Sequence, residues 1–190
     1  KAFCAGQDMV EEKERDKASG GKVSAYLAID RFSDTPLPLI AAVNGYCFGG
    51  GAALACACDI RLASDSASFR FPGTEYGLVV GAASLPRIVG VAKAKEFILT
   101  AKRLNADEAK SCGLVNDVYS QEDLLDAALD MAEQIAANSV LAVRESKRIM
   151  DTATLNAEAR NSENSINTIL RGSNEQAERF ESATRKVTGR

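Results

Sequence analysis

Residues 44–60 read NGYCFGGGAALACACDI, and the three consecutive glycines at 49–51 separate an apolar run from a segment of small side chains. Upstream, 37–43 (LPLIAAV) is bounded by prolines and by Asn44-Gly45, which suits a short buried strand better than a helix. Downstream, 52–58 carries only Ala, Leu and Cys, as in a closely packed buried helix. Between a buried strand and a buried helix, Gly49-Gly50-Gly51 has three readings. One is a tight turn, where glycine removes the Cβ penalty. Another is a nucleotide loop, although the spacing matches neither GxGxxG nor a P-loop and no Lys-Ser/Thr follows. The third is an oxyanion hole, in which unpaired N–H groups at a helix N-terminus face an anionic oxygen. The glycines alone leave the turn and the anion-binding readings open.

The rest of the chain limits the chemistry. At 190 residues it is long enough for one sizeable domain with a core. A net charge of −3 gives no basic face for nucleic acid. No apolar run is long enough to span a bilayer and no secretory signal opens the sequence. Cys4, Cys47, Cys56, Cys58 and Cys112 lie mostly among apolar residues with no CxxC pair, so free thiols and a cytoplasmic location are expected. There is no histidine. That excludes Ser-His-Asp and Cys-His nucleophile systems, HExxH zinc sites and any histidine base, leaving proton transfer to Asp, Glu, Tyr, Lys, Cys or water.

Periodicity divides the chain in two. A short strand is expected at 60–63 (IRLA), then a Ser/Asp loop and 69–73 (FRFPG). From Lys93 the pattern turns helical, with N-terminal caps at Asn105-Ala-Asp-Glu108 and Ser120-Gln-Glu-Asp123, and a helix stop at Gly113. A strand is expected at 114–119 (LVNDVY), and Ser173-Asn-Glu-Gln176 opens a last charged helix. The polar stretch 11–22 (EEKERDKASGGK) is expected to be mobile. There is no internal repeat.

Residues 1–8, KAFCAGQD, form a second strand end running into a glycine turn. Together with IAAVNGYCFGGGAALACACDIRLAS, this segment closely resembles the enoyl-CoA hydratase/isomerase, or crotonase, family. That family shows KAFxAGxD followed by P-x-IAAVNGxxxGGGxELAxxCD. The likeness continues through FRFPG, 90–100, 104–115 (LNADEAKSCGLV) and the helix from Gln121, and weakens over 178–186 (ERFESATRK). The resemblance implies an α/β fold, a crotonase-like ββα superhelix over 1–120 with a C-terminal helical trimerisation region over 121–190. It implies a homotrimer or dimer of trimers, with an acyl-CoA thioester as the small-molecule partner and neither nucleic acid nor membrane. The thioester oxygen would sit between the backbone N–H groups of Gln7 and Gly50. Ala5, Gly6, Asp8, Gly49, Gly51, Ala53 and Gly73 would surround the substrate, Asp8 by supporting its loop. No metal or redox cofactor is implied beyond coenzyme A as part of the substrate.

The sequence departs from the family where the chemistry is concentrated. Family hydratases carry two glutamates, one in GGGxE and one after the proline of an FGxPE-like motif. Here Ala53 and Gly73 occupy those positions. General acid–base groups contribute about 10²–10⁴-fold each, so family-type hydration should be poor. Glu75 is the nearest carboxylate in sequence. In an extended segment it would share the face of Gly73 and serve as acid or base, whereas in a helical turn it would point away as a surface side chain. Tyr76 suits a proton donor better than a base. Arg70 is either an anion contact or, more commonly, an exposed arginine. Family members have strands and a helix before KAFxAGxD, so the opening of the fold and its coenzyme A contacts are expected to lie outside these 190 residues. The expected function is an acyl-CoA enzyme that stabilises a thioester oxyanion or enolate, whether for hydration, isomerisation, hydrolysis or decarboxylation. The alternative is a non-catalytic or regulatory acyl-CoA-binding member. A purely structural subunit would have no need of exposed donors at AGxD and GGG.

Overall fold

Asn44-Gly45 breaks the apolar run into two strands, β2 (Ile40–Val43) and β3 (Tyr46–Phe48), which enter different sheets. The computed structural model describes residues 2–8, 29 and 32–188, and the same corner recurs through them. After β3 comes α1 (Gly50–Ala57), and then β4 (Ile60–Ser64) pairs in parallel with β2. A turn at 65–67 leads to β5 (Ser68–Arg70), which pairs in parallel with β3. Each turn therefore adds one strand to each of two sheets and returns through a helical connection. This is the crotonase-like ββα superhelix. β1 (Ala2–Cys4) lies beside β3, and β6 (Arg103–Asn105) runs antiparallel to β5, giving the order β1-β3-β5-β6. β7 (Asp117–Tyr119) completes the second sheet, in the order β2-β4-β7.

Small residues let α1 sit deep in this frame: Gly51, Ala52, Ala53, Ala55 and Cys56 are all buried. Ala52, Ala55 and Cys56 pack with Val43, Cys47, Phe69, Phe71, Leu85, Phe97 and Leu104 in the main core. α2 (Leu85–Val89) and α3 (Val91–Thr100) close it, α3 through Ala94, Phe97 and Ile98 at helical spacing. All five cysteines are free; Cys47 and Cys56 are buried, while Cys4, Cys58 and Cys112 are half-buried. Burial pushes the Cys56 thiol up to about 11 and raises Cys47 as well, so both stay protonated at neutral pH.

Local signals are read correctly by the chain at most helix ends. α4 (Ala106–Ser111) opens on a capping box between Asn105 and Glu108. It ends with Gly113 N–H donating to Lys110 O and Leu114 N–H to Ala109 O, a Schellman closure. Two strand limits are shorter than the sequence pattern implies: β2 begins only at Ile40, and β7 only at Asp117. The cap at Ser120 also acts earlier than expected. Its Oγ accepts the Asp123 N–H at 3.1 Å within a turn, and α5 (Leu124–Ala136) starts only after it. α6 (Val140–Thr154), α7 (Ala157–Leu170) and α8 (Asn174–Thr188) follow, so residues from 124 onward are helical between short links. At the last of these, Ser173 Oγ accepts the Gln176 N–H at 3.2 Å. No helix among the described residues is long and apolar enough to cross a membrane. Residues 11–22, expected to be mobile, lie outside the described residues.

One ion pair fixes α6 to the superhelix. Lys147, only 7% exposed, donates to Asp59 Oδ2 at 2.7 Å and to Leu37 O at 2.9 Å. The same carboxylate oxygen accepts the Leu39 N–H at 2.7 Å, so α6, the entry to β2 and the end of α1 share one joint. Removing one partner of a buried pair strands the other charge, and Asp59 retains some access to water, which moderates the loss. Lys147→Met should lower the unfolding free energy in urea by about 2 kcal/mol. The exposed pair made by Lys93 with Glu96 should matter by less than about 0.5 kcal/mol when broken by Lys93→Met.

Candidate functional site

After β1 the chain passes across the N-terminus of α1, and the fit is too tight for side chains. A Cβ on Gly51 would stand 2.1 Å from the Cys4 carbonyl oxygen, well inside any real contact. A Cβ on Gly6 would lie 3.1 Å from Phe48 O and 3.6 Å from Gly50 N, and one on Gly50 would lie 3.9 Å from Gln7 N. Glycine at these places brings the Gln7 and Gly50 amides side by side. Gly50 is the first residue of α1, so helix geometry gives its N–H no partner four residues back. Neither N–H has a backbone acceptor among the described residues. The corner is held from behind: Gly49 N–H donates to Arg70 O, and Ala53 N–H to Gly49 O, each at 3.0 Å. Two fixed N–H groups at the positive end of a helix are suited to an oxygen that gains negative charge.

Ala53 lies three residues beyond Gly50, about 4.5 Å further along the helix and on the same side. It opens into a cavity of about 100 Å³ whose walls include Gly81, Arg87, Arg160 and Glu163. Glu163, on α7, reaches over to the loop before α2, where its two oxygens accept the Gly81 N–H at 2.8 Å and the Ala83 N–H at 2.7 Å. Arg87 bonds at long range to Asp151 (3.4 Å) and Thr154 (3.3 Å) on α6. Arg160 stands 3.5 Å from Asp34. No sequence motif marks this helical wall. Glu163 and Arg160 sit in a region without a motif, some hundred residues from the glycines, and only α7 docking brings them in.

The other expected residues fall as follows. Gly73 is buried, and a Cβ there would stand 2.8 Å from Val80 Cγ2 and 3.0 Å from Leu78 O, so the fold at 78–80 fills the place of any side chain at 73. Thr74–Tyr76 is a 3-10 turn, and Glu75 in it is bound by the Arg70 guanidinium, which also donates through Nε to Ala101 O at 2.8 Å. Glu75 is not among the cavity walls. Tyr76 packs edge-on against Phe180, and burial raises its phenol above the ordinary value. Ala5 and Asp8 are exposed on either side of Gly6 and Gln7. No group of three or more His, Cys, Asp or Glu side chains among the described residues could hold a metal ion.

Parallel ββα turns with two adjacent main-chain amides at a helix N-terminus define an α/β protein of the crotonase-like fold. The chain belongs to the enoyl-CoA hydratase/isomerase family, whose model matches residues 1–185. It is 38% identical over 156 residues to the short-chain-enoyl-CoA hydratase of Clostridium acetobutylicum, covering 80% of this chain and 60% of that protein. It is 39% identical over 155 residues to the carnitinyl-CoA dehydratase of Proteus mirabilis, covering 77% of this chain and 58% of that one. Among solved structures, an enoyl-CoA hydratase/isomerase from Pseudoalteromonas atlantica superposes with a TM-score of 0.78 at 33% identity, covering 83% of this chain and 66% of that chain. The chain thus spans about three-fifths of the length of these curated relatives.

The tight crossing at Gly51 gives a direct test of the site's construction. Gly51→Ala forces the methyl group against the Cys4 carbonyl, so urea unfolding should show a loss of about 1–3 kcal/mol. Gly172→Ala, where the space beyond the backbone is open, lacks that clash and should lose less despite its positive φ.

Proposed function

We propose that this protein binds an acyl-CoA thioester and stabilises the oxyanion or enolate of its carbonyl between the N–H groups of Gln7 and Gly50. The observation that carries this reading is the juxtaposition of those two amides at the N-terminus of α1. Membership of a family whose members are named for enoyl-CoA substrates supplies the substrate class. Deprotonation beside a thioester places charge on the carbonyl oxygen, and losing one preorganised donor in such a hole typically costs about 3 kcal/mol, or roughly 100-fold in rate. Both donors are main-chain groups, so glutamine at position 7 keeps the hole while adding bulk at its rim. The reaction class is that of a lyase or isomerase acting at the carbons next to the carbonyl, with coenzyme A as part of the substrate.

Binding is tested with butyryl-CoA and the corresponding S-butyl thioether of coenzyme A, which lacks the carbonyl. Line broadening of the acyl-chain NMR signals should report binding of the thioester, with the thioether weaker by roughly tenfold or more, as expected for two lost hydrogen bonds. Equal affinity would remove the carbonyl from the account, and no binding of either would overturn the acyl-CoA reading.

We further propose that α6 and α7 build the homotrimer or dimer of trimers expected for the fold. Supporting this, Leu141, Ile149, Met150 and Ile169 are all more than half exposed on these helices in the single chain. Light scattering should give a mass of three chains or a multiple of three, and a monomer would contradict it.

A further inference from the structure

Two cysteines meet at the crossing of β1 and α1. Strands β1 and β3 run parallel, and Cys4 stands directly opposite Cys47 across that ladder. Opposed residues on neighbouring strands have Cα atoms roughly 5 Å apart, inside the span of about 4.4–6.8 Å that a disulfide bridges. Both side chains also turn toward α1. Cys47 Sγ donates to Gly51 O at 3.4 Å, and Cys4 Cβ lies 2.8 Å from the point that a Cβ on Gly51 would take. We infer that Cys4 and Cys47 are a redox modification site, closing to a reversible disulfide that displaces the Gln7–Gly50 corner. Formation of this bond does not rest on the acyl-CoA reading above.

Burial assigns the two thiols their roles. Cys47 is fully buried, and burial raises its thiol well above the ordinary value, with the neighbouring Cys56 and Cys4 sulfurs adding to the effect. A thiol held protonated is a poor first target for an oxidant. Cys4 is half-buried and lies on the outer strand of the order β1-β3-β5-β6, so it is the sulfur that a small hydroperoxide reaches first. Cys47 and Cys56 are both buried, and as a pair they offer an oxidant no accessible sulfur. Cys58 and Cys112 lie at the far ends of helices, with Sγ bonded to Leu54 O and Ala109 O, each at 3.5 Å.

The chemistry balances with hydrogen peroxide as the oxidant. The Cys4 sulfur attacks one peroxide oxygen and the O–O bond breaks, giving the Cys4 sulfenic acid and one water. The Cys47 sulfur then attacks the Cys4 sulfur, the S–O bond breaks, and the departing hydroxide takes the Cys47 proton as a second water. Two thiols lose two electrons to become one disulfide, and one peroxide is reduced to two waters. A dithiol reductant reverses the bond by exchange.

The consequence is mechanical. The Cys4 main chain lies against Gly51 with no slack, and Cys47 is bonded to the same residue. Drawing the two sulfurs to a bond of about 2 Å turns Cys4 against Gly51. The Gln7 and Gly50 amides ride on those two segments, so oxidation shifts them relative to each other.

The test treats the full chain with hydrogen peroxide, blocks the remaining thiols, and maps the digested peptides by mass. The Cys4 and Cys47 peptides should appear joined, lighter by two hydrogen atoms than the separate pair, and dithiothreitol should part them. The amide NMR signals of Gln7 and Gly50 should move on oxidation and return on reduction. Cys4→Ser should abolish both effects, and Cys112→Ser should leave them. Absence of the crosslink, a crosslink between other cysteines, or amide signals that stay in place while the crosslink forms would each overturn the inference.

Discussion

Everything at the candidate site depends on one contact between main chains: the end of β1 crossing the N-terminus of α1 with no room for a Cβ at Gly51. Because the Cys4 carbonyl packs directly on that turn, the amides of Gln7 and Gly50 beside the crossing are placed together by the fold rather than by side chains. The superhelix serves this contact. β1 and β3 are neighbours in one sheet, so the segments leaving them are brought to the same edge, and α1 is buried through alanines that let it approach. The two amides are held where they are because moving either would disturb a sheet strand or a core helix.

The walls beyond this crossing are built by the C-terminal helices. α7 reaches the cavity through Glu163, and Asn167 one turn further on ties the same helix to Val79, accepting its N–H at 2.9 Å. The loop 78–83 is therefore held from α7 at both ends, while its middle presses on Gly73 through Val80. One helix thus holds the loop whose Val80 fills the place of a position-73 side chain, and its Glu163 lines the cavity. The Lys147–Asp59 joint performs the matching task for α6, joining it to the start of β2 and the end of α1.

What the sequence made legible follows from which interactions are local. The strand–glycine–helix passage at 40–57, the Asn105 capping box and the Gly113 stop depend on neighbours a few residues away, and each stands where the pattern puts it. β7 begins at Asp117 rather than 114 because Leu114 and Val115 are spent on closing α4, their N–H groups donating to Ala109 O. The pairing of Gln7 with Gly50 was readable only through linked motifs, since nothing in either segment alone says that they meet. The contact of Glu163 was not readable at all: an isolated glutamate in AEARNSENSINTIL carries no signal, and its bonds to the Gly81 and Ala83 amides arise only when α7 lies against the 78–83 loop.

The central claim is that Gln7 and Gly50 polarise a thioester carbonyl, and the carbonyl stretch of bound ligand tests it most directly. An isotope-edited infrared difference spectrum of butyryl-CoA, with ¹²C and ¹³C at the thioester carbon, isolates that single band in the complex. The account predicts a clear shift to lower frequency relative to the ligand in water, because two fixed N–H donors weaken the C=O bond more than mobile solvent does. A bound ligand whose carbonyl band stays at or above its solution frequency would contradict it.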